Sequence, residues 1–132
     1  MNAVAIDTSV LIHAERTESE LSALLPETEA GPFYIPAHAA AEFLAGTLPP
    51  VKEALRRRAA DLYTRHYRDL VDVFGEPEAA QLAALLAQLR RAGKTMKFFD
   101  AAIAATALAR GDKVWCLDAD FERVEGLATI KG

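Results

Sequence analysis

Residues 4–12 of the chain read Val4-Ala5-Ile6-Asp7-Thr8-Ser9-Val10-Leu11-Ile12, a short apolar run followed by one acid and two hydroxyl residues. The run over residues 4–6 fits a short buried strand, and Thr8 or Ser9 is suited to cap a helix that continues to about Arg16. In open parallel sheets, ligands bind beyond the carboxyl ends of the strands. Asp7 follows directly on the predicted strand, so we expect it at that edge.

The rest of the chain alternates in the same way between short apolar runs and segments of helical spacing. Further strands are predicted at residues 33–35, 71–74, 114–117 and 128–130. Further helices are predicted at residues 19–25, 36–45, 51–70, 78–91 and 100–110, and residues 27–32 are predicted as a loop. The helix over residues 78–91 is expected to bury Ala79, Leu82, Ala83, Leu86 and Leu89. Such alternation predicts an α/β fold, with a parallel sheet covered by helices on both faces.

Size, composition and charge restrict the class of protein. The 132 residues fit one compact domain spanning residues 1–132, and an apolar fraction of 52% excludes a disordered chain. The net charge of -4 is unlike that of a general-purpose nucleic-acid-binding domain, which is usually basic. If this chain acts on nucleic acid, local basic patches and a bound cation must offset its acidity.

Cysteine use and hydropathy indicate the compartment. Cys116 is the only cysteine, which excludes an internal disulfide and a multi-cysteine zinc site and fits a reducing cytoplasm. The N-terminus has no basic segment before its short apolar run, unlike a signal peptide. No apolar stretch reaches the roughly 20 residues of a membrane span, so we expect a cytoplasmic protein without a membrane segment.

Four acids adjoin segments that should form the core. Asp7 and Asp118 each follow an apolar run, Asp100 precedes one, and Glu42 lies among alanines. A carboxylate removed from water is costly unless it is hydrogen-bonded, paired with a cation or bound to a metal. The pattern predicts one shared cation site, and carboxylates without histidine or cysteine ligands favour Mg²⁺ or Mn²⁺.

Each acid also has a purely structural interpretation. Asp7 or Asp100 would serve as a helix N-cap, and Glu42 would fit a solvated helix face. Asp118 competes with Asp120, two residues on. One of that pair is expected to be a ligand and the other a turn residue, with Asp118 favoured because it lies nearer the strand end.

Other kinds of site are less well supported. Ser9, His13 and Asp7 resemble the parts of a hydrolase triad, but no nucleophile elbow accompanies them. His38 and Glu42 are four residues apart and have the spacing of a transition-metal pair, but one histidine among several carboxylates fits better as a neighbouring or surface residue. The sequence has no G-x-G-x-x-G and no Walker A motif, so a nucleotide cofactor is unsupported.

Two basic groups have different expected roles. The first, interpreted as a solvated helix face, comprises Arg56, Arg57, Arg58, Arg65 and Arg68. The second precedes Asp100 and comprises Arg90, Arg91, Lys94 and Lys97. Within it, Arg91, Lys94 and Lys97 are the candidate substrate-binding residues, since they are placed to hold a phosphate backbone near the acids.

Four segments, taken in order, resemble a known family. They are Ile6-Asp7-Thr8-Ser9-Val10-Leu11-Ile12, Ala41-Glu42-Phe43-Leu44-Ala45-Gly46, Phe99-Asp100-Ala101-Ala102-Ile103-Ala104-Ala105-Thr106-Ala107 and Leu117-Asp118-Ala119-Asp120-Phe121. Together they resemble the PIN domain, and specifically the VapC-type toxins of bacterial and archaeal toxin–antitoxin pairs. The resemblance covers essentially the whole chain.

The resemblance implies a fold, an activity and partners. It implies a three-layer α/β/α sandwich with a mainly parallel sheet of about five strands. It implies a Mg²⁺- or Mn²⁺-dependent endoribonuclease that cuts single-stranded or loop RNA. It also implies a homodimer, inhibited by a VapB-like antitoxin that inserts a segment across the acidic groove, often with an arginine near the metal.

The resemblance also implies roles for individual residues. The catalytic and metal-binding quartet would be Asp7, Glu42, Asp100 and Asp118. Thr8 or Ser9 would be the hydroxyl residue that orients ligands or waters. The family often has threonine or serine two residues before the fourth acid, where this chain has Cys116. Because a thiol is a poor hydrogen-bond donor, we expect Asp118 to be held more loosely, with Asp120 a candidate to share its role.

Two further functions compete with the nuclease. A PIN-like module that binds RNA or protein without cutting it is the first alternative, and retention of all four acids argues against it. A phosphate enzyme on a similar sheet is the second. A haloacid-dehalogenase-type phosphatase needs a second aspartate where Ser9 stands, and a receiver domain would have only Asp72 as a poor phosphoacceptor.

Overall fold

The structure, a computed structural model, describes residues 3–26, 29 and 31–131. Within these residues the strands are β1 (Val4–Ile6), β2 (Phe33–Pro36), β3 (Val71–Asp72), β4 (Lys113–Cys116) and β5 (Thr129–Lys131). The helices are α1 (Thr8–Thr17), α2 (Leu21–Leu24), α3 (Ala37–Ala45), α4 (Glu53–Leu62), α5 (Glu76–Arg91) and α6 (Phe98–Arg110).

The five strands form one sheet in the order β3-β2-β1-β4-β5, and every neighbouring pair is parallel. Val4 pairs with Phe33 on one side of β1, and Ile6 pairs with Trp115 on the other. Helices cover both faces, so the predicted three-layer α/β/α architecture is confirmed. The chain builds outward from β1 in one direction and then in the other. This reversal creates a switch point between β1 and β4, where parallel sheets bind ligands beyond their carboxyl ends.

Helix α6 is built to lie deep in the molecule. Residues 101–107 are all buried, and five of these seven are alanines. Alanine favours helix and lets neighbouring elements approach closely, which suits a helix in contact with α3, α5 and the sheet. The buried Thr106 hydroxyl donates to the Ala102 carbonyl (2.8 Å) and so has a partner in the core.

Helix α5 differs from its prediction in two respects. It begins at Glu76 because the Glu78 carboxylate accepts from the backbone N–H of Gly75 (2.7 Å), a cap contact that extends the helix. The prediction that Ala79 and Ala83 face the core is wrong, since both are exposed. The buried face is Glu78, Leu82, Leu85 and Leu89. Small alanines fit either face, so the larger leucines decide the orientation.

Other boundaries shift for local reasons. The strand predicted at residues 71–74 ends at Asp72, since Val73 is 75% exposed and its carbonyl accepts from Arg110 (2.7 Å). The helix predicted at residues 51–70 is α4 followed by a π-helical turn over Tyr63–Tyr67 and a 3₁₀ turn over Arg68–Leu70.

The π-helical turn places one ring in the core. The Tyr67 hydroxyl donates to the Leu11 carbonyl of α1 (3.1 Å) and anchors this region of the chain. Of the loop predicted at residues 27–32, positions 27, 28 and 30 lie outside the described residues. In the part of the chain that the structure describes, no helix is both long enough and apolar enough to cross a bilayer.

Candidate functional site

Asp7 is buried at the carboxyl end of β1, 4% exposed. Its Oδ2 accepts from the Ser9 N–H (3.2 Å) and from the Ser9 hydroxyl (2.6 Å), so Asp7 is the N-cap of α1. The prediction that Thr8 or Ser9 caps this helix is therefore wrong. The other oxygen, Oδ1, is buried without a hydrogen-bond partner in the described structure. Capping therefore involves only one of the two carboxylate oxygens, Oδ2.

The pKa of Asp7 reflects the same buried environment. Burial raises its pKa, the hydrogen bonds from Ser9 oppose this, and the charge of Asp118 raises it further. A buried carboxylate oxygen without a donor carries a desolvation cost that a bound cation would remove.

Two adjacent hydroxyls position two different acids. The buried Thr8 donates its hydroxyl to Glu42 Oε1 (2.7 Å), which ties the start of α1 to α3. Ser9 donates to Asp7 and accepts from the backbone N–H of Leu117 (3.2 Å), which ties α1 to the end of β4. The sequence suggested that one of the two hydroxyls orients the site, whereas each of them has such a contact.

Asp100 lies in the first turn of α6, where Lys97 occupies the cap position. Its interpretation as an N-cap is therefore wrong. Burial raises the pKa of Asp100 to about 6, and nearby negative charges reinforce the shift. These charges belong to Asp7, Asp120, Glu42 and Asp118. All five acids thus share one electrostatic environment, although they come from five separate positions in the fold.

Asp118 and Asp120 both belong to the turn after β4. Asp118 is exposed, and its Oδ1 accepts from the Asp120 N–H (3.0 Å), a turn contact. Asp120 begins a 3₁₀ turn (Asp120–Arg123) and lines a cleft together with Asp100. Asp118 makes the turn hydrogen bond that was expected of the other acid, and both carboxylates lie near Asp100.

Cys116 contacts the backbone of the fourth acid and not its side chain. Its Sγ donates to the Asp118 carbonyl (3.4 Å), and no contact between the thiol and that carboxylate is seen among the described residues. Burial raises the pKa of Cys116 to about 11, so the thiol stays neutral at physiological pH. A neutral buried thiol adds no charge to the site.

A cleft of about 370 Å³ opens between the start of α6 and the turn after β4. It is lined by Thr95, Met96, Lys97, Asp100, Asp120 and Arg123. Of the predicted substrate-binding residues, Lys97 lines this cleft, whereas Arg91 and Lys94 do not. Arg123 was not predicted. Its spacing of three residues from Asp120 was the only signal, because that turn brings both side chains to one side.

The Arg123 guanidinium is fixed by one bond. Its Nη1 donates to the Thr95 carbonyl (2.6 Å), which holds the group at the cleft beside Asp100 and Asp120. A planar guanidinium has five N–H donors, so this bond leaves others able to bind a phosphate oxygen.

The acids do not form a finished coordination shell. Among residues 3–26, 29 and 31–131, no three histidine, cysteine, aspartate or glutamate side chains are grouped closely enough to hold a metal as they stand. Like charges repel without a cation, which is consistent with the raised pKa values of Asp7 and Asp100.

The hydrolase triad and the transition-metal pair considered from the sequence are not supported by the structure. The Ser9 hydroxyl donates to Asp7, and His13 is exposed, so a Ser-His-Asp triad does not form. His38 is partly buried, and burial lowers its pKa while Glu42 raises it. Its ring lies against Phe74 (4.6 Å between centroids), as a neighbour of the acids.

Two other features lie away from the acids. The solvated face predicted for the first basic group is confirmed only in part. Arg57 pairs with Glu53 (2.6 Å) and Arg65 with Asp61 (3.0 Å) on the exposed surface, whereas Arg58 donates to Glu15 of α1 (2.9 Å). A larger groove of about 620 Å³ lies between α1, α2 and the segment after α4, and it is lined by none of the four quartet acids.

Comparison with known proteins decides the family. Residues 4–127 match the PIN domain family over nearly the whole described chain. The chain belongs to the PIN domain family. No curated protein matches it significantly in sequence.

Solved structures share this PIN fold. A DNA-bound VapBC of Salmonella typhimurium has 22% identity and a TM-score of 0.84, with 99% of this chain and 98% of that chain covered. VapBC2 of Rickettsia felis, bound to a promoter DNA fragment, has 16% identity and a TM-score of 0.80, with 98% of each chain covered. VapBC-5 of Mycobacterium tuberculosis has 24% identity and a TM-score of 0.72, with 100% of each chain covered. At these identities the likeness concerns the fold.

Proposed function

We propose that this PIN-domain protein is a Mg²⁺- or Mn²⁺-dependent endoribonuclease and the toxin of a type II toxin–antitoxin pair. The observation that carries the proposal is the buried Oδ1 of Asp7, which has no hydrogen-bond partner among the described residues. It belongs to a group of acids in which the Asp100 pKa is raised to about 6. Carboxylates that are buried together without an ion pair are costly for the fold and useful for binding a metal.

The donors present fit a hard divalent ion. The proposed ligands are Asp7, Glu42, Asp100 and Asp118, with Asp120 placed to share the role of the fourth acid. When bound, Mg²⁺ or Mn²⁺ supplies a Lewis acid that activates water and stabilises the charge of a phosphodiester under attack. Thr8 and Ser9 orient Glu42 and Asp7 through the hydrogen bonds described above, and thus keep their carboxylates at the switch point.

Substrate binding falls to the nearby cations. Lys97 and Arg123 line the cleft beside Asp100 and Asp120, so each is placed to hold a phosphate of the RNA next to the acids. Lys94 and Arg91 lie further back, toward the end of α5, and are proposed to meet the backbone beyond the cleft. These cations offset the net charge of -4 at the point of contact.

The solved structures with this fold support a partner. Those described above are VapBC structures, two of them bound to DNA. We propose that a VapB-like antitoxin covers the acidic cleft of this chain and brings a cation to it. A homodimer in the cytoplasm is proposed as the assembly, and light scattering on purified protein tests it.

The test is cleavage of a mixed RNA pool by purified protein with Mg²⁺, with Mn²⁺ and with EDTA. The test variant is Asp7→Asn, and the matched control is Asp112→Asn, the same change at an acid outside the site. We expect metal-dependent cleavage that is lost in Asp7→Asn and kept in Asp112→Asn. Folded, antitoxin-free protein that cuts nothing would instead favour a PIN-like module that binds RNA or protein without cutting.

A further inference from the structure

Four rings form a cluster next to the acids, called here the aromatic cluster: His38, Phe74, Phe98 and Phe99. The ring of His38 lies 4.6 Å from Phe74, 5.7 Å from Phe99 and 6.0 Å from Phe98, between centroids. Phe98 and Phe99 are 6.0 Å apart in an edge-to-face arrangement. The rings support one another at distances typical of aromatic pairs.

The rings of Phe98 and Phe99 are exposed to solvent, which does not stabilise the folded chain. Phe98 is 53% exposed and Phe99 37% exposed, whereas residues 101–107 of the same helix are buried. Each large apolar side chain left in water forgoes burial energy, which is of the order of 1.5–3 kcal/mol for a phenylalanine. Contiguous exposed aromatic side chains are a common feature of binding sites.

The position of the aromatic cluster relates it to the acids. Phe98 and Phe99 stand between Lys97, which lines the cleft, and Asp100. On the neighbouring helix, His38 lies one turn before Glu42. The cluster therefore adjoins the acids on both α3 and α6, and its rings lie outside the lining of the cleft itself.

We propose that the aromatic cluster stacks one unpaired base of the RNA, adjacent to the phosphate that Lys97 and Arg123 hold. The inference rests on the proposed function and adds to it a determinant for unpaired RNA. Bases that are splayed out of a strand stack on aromatic side chains, and such contacts tolerate any base because every base has a π-face. Phe98, the more exposed ring, supplies the stacking face, while Phe99 and His38 hold it in place.

The area of the patch favours a base over a second protein. Phe98 and Phe99 together expose about as much surface as one free phenylalanine, roughly 200 Å². A standard protein interface buries about 800 Å² on each partner. The exposed rings match the face of one base, and they adjoin cations that suit its phosphate.

The test measures RNA binding in the full chain carrying Asp7→Asn, so that the probe is not cut. Asparagine caps helices as well as aspartate does, so this background keeps the start of α1. The probe is a labelled, unstructured RNA of about 12 nucleotides, titrated by fluorescence anisotropy with Mg²⁺. We expect Phe98→Ala and Phe98→Leu each to weaken binding about tenfold or more, and Phe98→Trp to restore it. Leucine keeps an apolar surface and loses the ring, so it separates stacking from general burial.

The matched control is Leu55→Ala on α4, which removes an apolar side chain of similar exposure (52%) that does not line the acidic cleft. This control should bind as the background does. A second series removes single bases from the probe with abasic nucleotides. At one position the abasic probe should bind weakly, and there Phe98→Ala should add no further loss, because both changes remove the same contact.

Two outcomes would overturn the inference alone, and a third would overturn the proposed function with it. RNA binding that is equal in Phe98→Ala, Phe98→Leu and the background would leave the nuclease intact and remove the stacking role. A change of oligomeric state in Phe98→Ala, with unchanged RNA affinity per protomer, would assign the rings to a second copy of the chain. A background protein that binds no RNA at all would contradict both the stacking and the proposed substrate.

Discussion

Two groups of acids in this molecule differ in the partners that surround them. One lies at the carboxyl edge of the sheet around Asp7 and Asp100, and the other surrounds Arg110 at the end of α6. In the second group, Arg110 pairs with Asp72 (2.7 Å) and lies 4.8 Å from the centre of the Tyr34 ring. This arrangement, together with Asp112, is called here the Arg110 network.

Each carboxylate in the Arg110 network accepts a hydrogen bond from a donor in the protein. Asp112 accepts from the Tyr34 hydroxyl (2.9 Å) and from the Ala3 N–H (3.0 Å). The hydrogen bond from Arg110 lowers the pKa of Asp72. The network joins β1, β2, β3 and the turn before β4, so its role is to hold the fold together.

The difference between the groups lies in their partners and not in residue type. Burial and like charges raise the pKa values of Asp7 and Asp100, whereas a cation lowers that of Asp72. Acids supplied with donors stabilise the structure, and acids left short of them are prepared to bind something else. We expect substitution of the first group to lower activity without loss of stability, and substitution of the second to lower stability without loss of activity.

The largest effect is expected from Asp7→Asn. Cleavage should fall at least about a thousandfold, because the buried Oδ1 position loses its charge toward the metal. Thermal unfolding should hardly change, since asparagine can still accept from Ser9 and cap α1. Rate measurements and calorimetry on the same preparation test both halves, and a large loss of stability in Asp7→Asn would contradict the comparison.

Asp100→Asn should lower cleavage, though less than Asp7→Asn does, and should stabilise the metal-free protein. The folded pKa of Asp100 is raised to about 6, so the stability it contributes is fully present below the usual carboxyl range. That stability is lost as pH rises through about 6. In wild type, the free energy of unfolding should therefore decrease as pH rises through about 6. In Asp100→Asn this decrease should be absent. Denaturant titrations between pH 4 and 8, without metal, measure it. Identical pH dependence in the two proteins would contradict the account.

Asp112→Ala should show the reverse pattern. Without the carboxylate, the Ala3 N–H and the Tyr34 hydroxyl both lose their acceptor, at a cost of about 1–3 kcal/mol in the free energy of unfolding. The rate constant kcat should remain that of wild type at a temperature where the variant is folded. A fall in kcat without a fall in stability would place Asp112 in the wrong group.

Arg123→Ala should give a smaller effect on binding. RNA affinity should fall about tenfold, and the slope of its salt dependence should decrease by about one phosphate contact. The matched control is Arg57→Ala, which removes an exposed arginine that pairs with Glu53 on α4. Equal effects of the two substitutions would show that Arg123 acts only through net charge.

The sequence predicts the sheet and the acids because both depend on local pattern. Short apolar runs ending in Asp7 and Asp118 mark the strands, and the structure confirms β1 at residues 4–6. The choice of cap could not be made in advance. Three successive residues that all cap well follow β1, and only the extended backbone of Asp7 (φ -74°, ψ 155°) selects among them.

Contacts between distant segments could not be predicted from the sequence. Phe98 and Phe99 form the first turn of α6, ahead of its buried stretch, and this turn leaves them exposed. Arg123 reaches the cleft because the 3₁₀ turn after β4 brings it to Thr95, 28 residues earlier. Spacing puts Arg123 on the same side of its turn as Asp120, but neither its contact with Thr95 nor the exposure of the two rings follows from spacing, since each depends on how two elements meet.

The most direct test of the central claim is calorimetric titration of the metal-free protein with Mn²⁺ near pH 6, repeated in buffers of different ionisation enthalpy. Wild type and Asp112→Asn should bind Mn²⁺ and release protons, because Asp100 must give up its proton to bind a cation. Asp7→Asn/Asp100→Asn should lose both the binding and the release. Mn²⁺ binding that survives this double substitution, or its absence from wild type, would contradict the claim that this group of acids holds a metal.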